Sequence, residues 1–177
     1  PVQILWVNMT TAVCLGLMLA FEPKERDLMD RPPRDPNAPL LTQTLVVRIL
    51  LVSVVLSAGV DALYEWTLAR GDSEAEARTA AVAGLVFGEA FYLLNCRSLE
   101  RSVFSVGLFT NPLLWAGIAV MTALQLGFTY LPAANALFGT APIDGIEWLA
   151  VIAPGVAVFA VVGLEKGARR ALAARRA

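Results

Sequence analysis

With 177 residues, 57% of them hydrophobic and 16% charged, and a mean hydropathy of +0.63, the chain is too apolar for an ordinary soluble domain, which is roughly half apolar and a quarter charged. It contains no His, which excludes the commonest transition-metal ligand and the usual neutral-pH base. The net charge of −1 says little, because basic and acidic residues are segregated along the chain.

The apolar residues fall into five blocks, each long enough, or nearly so, to cross about 30 Å of hydrocarbon as a helix. The first covers 1–21. It starts at Pro1, is apolar at once, and has neither a basic leader nor a small-residue cleavage site, so it reads as part of something longer rather than as a signal peptide. Asn8 and Thr11 share one face of this helix at i,i+3, with Thr10 off that face. The segment 22–43 holds five prolines and four basic residues and predicts a stiff, extended loop.

The second block, 44–66, has Arg48 near one end and an acidic pair, Asp61 and Glu65, near the other. Arg48 can snorkel toward the basic side. A short acidic connection, 67–78, leads to the third block, 79–96, interrupted only by Glu89. At 1.5 Å per residue Glu89 lies roughly 10–15 Å from the interface, too deep to reach water easily. An ionisable group at that depth faces a bundle interior or a cavity. The alternative is a protonated Glu bonded to a neighbouring helix. Gly84 and Gly88 on the same block allow a close helix neighbour.

The fourth block, 112–131, opens on a proline suited to a first helical turn, and its Thr122 and Gln125 read as packing contacts. The fifth, about 146–164, carries Pro154-Gly155, which a membrane helix tolerates. A basic tail follows Leu164. Cys14 and Cys96 form neither a disulfide framework nor a zinc motif and read as small buried residues.

Lys and Arg number four in 22–43, two in 97–111 and five after Leu164, against two (Arg70 and Arg78) and none in the alternate connections. Eleven against two predicts an all-α membrane bundle of five spans, N-terminus outside and C-terminus inside. No phosphate-cradling loop and no nucleophile–base set is present, so the chain alone is not expected to hydrolyse anything. Asn8, Thr11 and Glu89 would together supply hard oxygen ligands suited to Ca²⁺, Mg²⁺ or alkali cations. Spacing alone does not say whether their helices meet.

The stretch ILWVNMTTAVCLGLMLAFEPKERDLMDRPPRDPNAPLL resembles the sixth transmembrane helix and following loop of P-type cation-transporting ATPases. The matching residues are Leu5 to Asn8, Thr11, Gly16, Phe21-Glu22-Pro23, Met29 and Arg31 to Arg34. Glu89 with Asn95 is similar to the family's eighth helix, the RSLERSVFSVGLFTNP segment to its next cytoplasmic loop, and APIDGIEWLAVIAPGVAVFAVVGLEK to its tenth. The resemblance covers 1–177 and implies a C-terminal transmembrane domain of helices six to ten, on the calcium-type and bacterial branch.

It implies that Asn8, Thr11 and Glu89 are ligands of a transported cation, Ca²⁺ before others, and that the sixth helix unwinds at the site. It also implies that ATP and Mg²⁺ serve only a full-length pump, that the loop 22–43 faces the phosphorylation machinery, and that the setting is a bacterial plasma membrane. The implied partners are the lipid bilayer and the upstream helices and cytoplasmic domains of the same polypeptide, with no nucleic acid. One departure stands out. The family carries an Asp directly after the Thr, where this chain has Ala12. The competing readings are a stand-alone membrane scaffold or regulatory subunit with polar glue, and a small proton-coupled carrier centred on Glu89. The carrier would favour internal repeats, and the five spans show none.

Overall fold

The computed structural model describes residues 2–24, 39, 41–98 and 103–175. Among the described residues, five helical stretches are long and apolar enough to cross a membrane: Val2–Phe21, Gln43–Ala69, Glu74–Cys96, Pro112–Tyr130 and Gly145–Ala174. The first is composite, an α-helix α1 (Val2–Thr11) continued by a π-helical turn (Ala12–Gly16) and a 3-10 segment (Leu17–Phe21). The others are α2 (Gln43–Ala69), α3 (Glu74–Cys96), α5 (Pro112–Tyr130) and α7 (Gly145–Ala174), with short helices α4 (Val103–Val106) and α6 (Pro132–Phe138) between them. No strand occurs among the described residues.

Hydrocarbon leaves a backbone no water to bond, so each apolar block must satisfy its own N–H and C=O groups as a helix. The ends are fixed by side chains. Thr42 accepts from Leu45 N, and Asn111 accepts from Leu114 N at 3.1 Å with Pro112 in the first turn. Ser73 with Glu76, and Asp144 with Glu147, form two capping boxes that open α3 and α7. The first box explains why α3 begins at Glu74, five residues before the apolar block.

The bundle is built around α3. Half of its apolar window is buried, against a third or less in the other spans. One side of α3 packs on α2 and α7, through Leu56, Val158 and Val162 at one level and Leu63, Ala83 and Val151 at another. The other side meets α1 and α5 through Val7, Leu15, Val86, Leu114 and Met121. Apolar surface gives helices no reason to associate in lipid, so close approach of small residues matters more. A Cβ on Gly88 would stand 2.3 Å from Leu56 Cδ1, and one on Gly84 2.8 Å from Leu63 Cδ2. These two glycines let α2 lie against α3. On its outer face α2 presents Val47, Leu50 and Val54, all exposed, as lipid-facing residues do.

Two features differ from the sequence reading. The basic tail is not separate from the last span, because α7 continues to Ala174. Arg48 does not snorkel to water: it is 3% exposed, and its Nη2 lies 2.7 Å from Glu165 Oε2. The prolongation of α7 beyond Leu164 brings that carboxylate to it. The RPPR motif and most of the proline-rich loop lie outside the described residues.

Candidate functional site

The first span changes its winding next to Thr11. The Thr11 hydroxyl donates back to the Val7 carbonyl at 2.9 Å. The wider π turn Ala12–Gly16 follows, then the tighter 3-10 segment. Wide turns of this kind inside α-helices are often found at functional sites. The expected unwinding is therefore a change of helical gauge, with the chain helical throughout. The π turn lies hard against α5, where a Cβ on Gly117 would lie 2.2 Å from the Cys14 carbonyl oxygen. Only a glycine lets α5 press this closely on the π turn.

Asn8, Thr11 and Glu89 line one cleft of about 650 Å³ between α1, α2 and α3, with Ala12, Ser53 and Tyr92 beside them. Thr11 is 8% exposed, Glu89 is half-buried, and Asn8 is exposed on the open side. Thr11 and Glu89 face the same cleft where α1 packs on α3, so the two helices do meet at the polar positions. The Ala12 methyl also lines the cleft, where the resembling family has a carboxylate. The cleft thus offers one carboxyl, one amide and one hydroxyl from these three residues, all hard oxygen donors. Among the described residues no group of three or more acidic or thiol side chains is arranged to hold a metal ion. A Ca²⁺ takes six to eight oxygens, so these three side chains would form only part of a coordination shell.

The other polar residues noted in the sequence are elsewhere. The Asn95 amide donates to the Phe159 carbonyl at 3.3 Å, tying α3 to α7. Gln125 accepts from Trp6 Nε1 at 3.3 Å, and Thr122 donates to the Ile118 carbonyl at 2.8 Å. Asp61 and Glu65 are exposed. Cys14 and Cys96 are both free.

Sequence reasoning missed the clamp that fixes the far end of the first span. Arg97 donates to both carboxylate oxygens of Glu22, at 2.7 to 3.1 Å, and to the carbonyls of Gly107 and Leu108. Asn111 Nδ2 adds a bond to Glu22 at 3.0 Å. Lys166 was likewise missed. Its ammonium is buried against the carbonyls of Asn95 and Ser98 at 2.5 and 2.6 Å, where the C-terminal end of α3 favours a cation. Glu22 stood in a recognisable FEP motif, but nothing local pointed to a partner 75 residues away.

A family model described as "Cation transporting ATPase, C-terminus" matches residues 1–168. The chain belongs to this family. Among curated relatives, it is 52% identical over 93% of its length to a probable cation-transporting ATPase F of Mycobacterium tuberculosis. It is 39% identical over 90% to the cation-transporting ATPase pma1 of Synechocystis, and 29% identical over 93% to the mouse calcium-transporting ATPase type 2C member 2. The chain spans 18% of the length of each. It corresponds to the C-terminal membrane region of this family, with five helices long and apolar enough to cross a membrane among the described residues, and bacterial proteins are among its relatives.

Proposed function

We propose that this chain supplies cation ligands within the membrane to an ATP-driven pump, with Ca²⁺ as the first candidate for the transported ion. The observation that carries the reading is the shared cleft of Asn8, Thr11 and Glu89. In a low-dielectric surrounding a single carboxylate attracts a cation far more strongly than it would in water. The amide and hydroxyl can replace part of the ion's hydration without adding charge. The charge count supports an orientation with the N-terminal end of α1 outside and the far end of α7 inside. Phosphorylation and the ATP and Mg²⁺ it needs belong to the upstream parts of the pump. A calcium preference draws on relatives named as calcium-transporting ATPases.

The test is Glu89→Gln in the full-length pump, read by cation-dependent phosphorylation across Ca²⁺, Na⁺, K⁺, Mg²⁺ and Mn²⁺. Loss of the charge should raise the half-saturating concentration of the transported ion about tenfold or more, which corresponds to about 1.4 kcal/mol of binding. An unchanged ion dependence would remove Glu89 from the site.

A further inference from the structure

The far end of α7 carries more positive charge than its one acid neutralises. After Leu164 the helix and its cap hold Lys166, Arg169, Arg170 and Arg175 against Glu165. That carboxylate is shared. Arg48 of α2 donates to its Oε2 at 2.7 Å, and Arg169 binds its other oxygen while donating to Thr44 Oγ1 at 3.0 Å. Lys166 meets the carbonyls of Asn95 and Ser98, which carry no formal charge. Arg170 and Arg175 are exposed and form no ion pair among the described residues. Glu22, the other described acid at this end, is held by Arg97.

The depth of the cluster follows from two tryptophans at the opposite end of the bundle. Trp148 Nε1 donates to Tyr130 Oη at 2.7 Å, and Tyr130 donates to the Ile143 carbonyl at 2.8 Å. Aromatic side chains with one polar edge gather at membrane–water interfaces. At 1.5 Å per residue, Arg169 lies about 32 Å along α7 from Trp148. On α2 the same rise puts Thr44 about 33 Å from Trp66. Both helices therefore carry the cluster about one hydrocarbon thickness, roughly 30 Å, from their tryptophans. This is the level of the lipid phosphates. On the hydrocarbon side of the cluster, Val47 and Leu50 of α2 and Leu164 of α7 are exposed, Leu164 at 73%.

We propose that the last turns of α7, together with the first turn of α2, bind the headgroup of an anionic phospholipid. Arg169 and Arg170 supply the charge, and their planar guanidinium groups match phosphate oxygens. The exposed apolar residues one turn deeper receive the acyl chains. A zwitterionic headgroup brings its own cation and offsets less of the surplus. Depth and the adjoining apolar surface select a lipid over dissolved phosphate. The inference does not depend on which ion the cleft of Asn8, Thr11 and Glu89 takes.

The experiment uses the intact pump, purified in detergent, with thermal unfolding followed as phosphatidylglycerol or phosphatidylcholine is added. Phosphatidylglycerol should raise the wild-type midpoint by several degrees more than phosphatidylcholine does, and high salt should shrink the difference. In the double variant Arg169→Gln/Arg170→Gln most of that difference should vanish, and the phosphatidylglycerol needed for half of it should rise severalfold. Lysines at both positions should retain much of it. Arg78→Gln, an exposed basic position at the other end of the bundle, should behave as the wild type. Soluble glycerol phosphate should not substitute for the lipid. Equal midpoints in the two lipids, a full difference in the double glutamine variant, or the same gain from glycerol phosphate would each overturn the proposal. If the double variant does not fold, Arg170→Gln decides it, because this side chain anchors no ion pair among the described residues: a wild-type lipid response there counts against the site.

Discussion

Gly117→Ala tests whether the π turn beside Thr11 is held by its neighbour. The new Cβ would lie 2.2 Å from the Cys14 carbonyl oxygen and 2.6 Å from Met18 Cγ. The methionine can swing away, but the carbonyl belongs to the helix backbone. An ordinary carbon–oxygen contact is about 3.3 Å, so helix and carbonyl must separate by about 1 Å. Overpacking of this kind costs about 1–3 kcal/mol, more than the about 0.5–1 kcal/mol that alanine gains over glycine inside a helix. Because Cys14 stands three residues after Thr11, the displacement should also reach the cleft. The expected result is a lower unfolding midpoint for the full-length pump and a severalfold higher half-saturating cation concentration. Gly163→Ala is the control, since a Cβ there meets nothing within 4 Å, and it should be neutral or slightly stabilising. Wild-type midpoint and wild-type ion affinity in Gly117→Ala would refute the argument. A lower midpoint with normal affinity would show that the π turn does not set the cleft.

Three further outcomes follow from the same geometry. The Arg97 side chain is 0% exposed and that of Glu22 15%, so Arg97→Ala should destabilise by about 3–5 kcal/mol by leaving a carboxylate without its partner. The double variant with Glu22→Ala should recover part of that loss, and strictly additive losses in unfolding would rule out the clamp. Ala12→Asp places a carboxylate on the cleft wall next to Thr11 and should tighten divalent over monovalent cations in phosphorylation assays; an unaltered ion preference would mean that position 12 does not reach the ion. Hydrogen bonding from the Glu147 backbone N–H, then from Arg70, holds the Asp144 carboxyl below the usual carboxylate range. Its stabilising effect is therefore present above the ordinary Asp value and lost as pH falls through the depressed one, so Asp144→Asn should flatten the acid limb of a stability profile, and an unchanged acid limb in thermal unfolding would refute it.

The five spans were legible in the sequence, and so was one of the residues that start them, Pro112 in a first turn. Errors fell where an amphiphilic end continued a helix. The third helix begins five residues early because Ser73 and Glu76 cap it, and the last runs ten residues beyond Leu164. The i,i+3 spacing of Asn8 and Thr11 placed two oxygens on one face, and the depth of Glu89 marked it as unusual. Neither indicated that these helices touch, and no signal in AVCLG announced a π turn, whose carbonyl at Cys14 lies against Gly117 on another helix.

Charge shows the same division. Counting Lys and Arg by segment suggested an orientation, but treated each as a surface charge. Arg48, Arg97 and Lys166 are instead buried against Glu165, Glu22 and the end of α3. Apolar runs alone imply helices and their approximate extents, because a backbone in hydrocarbon must bond within its own segment whatever its neighbours do. Which faces meet, where the first span changes gauge and which buried charges find partners are set by packing. Those depend on glycines, carbonyls and carboxylates tens of residues apart, and their fit exists only once the helices are packed.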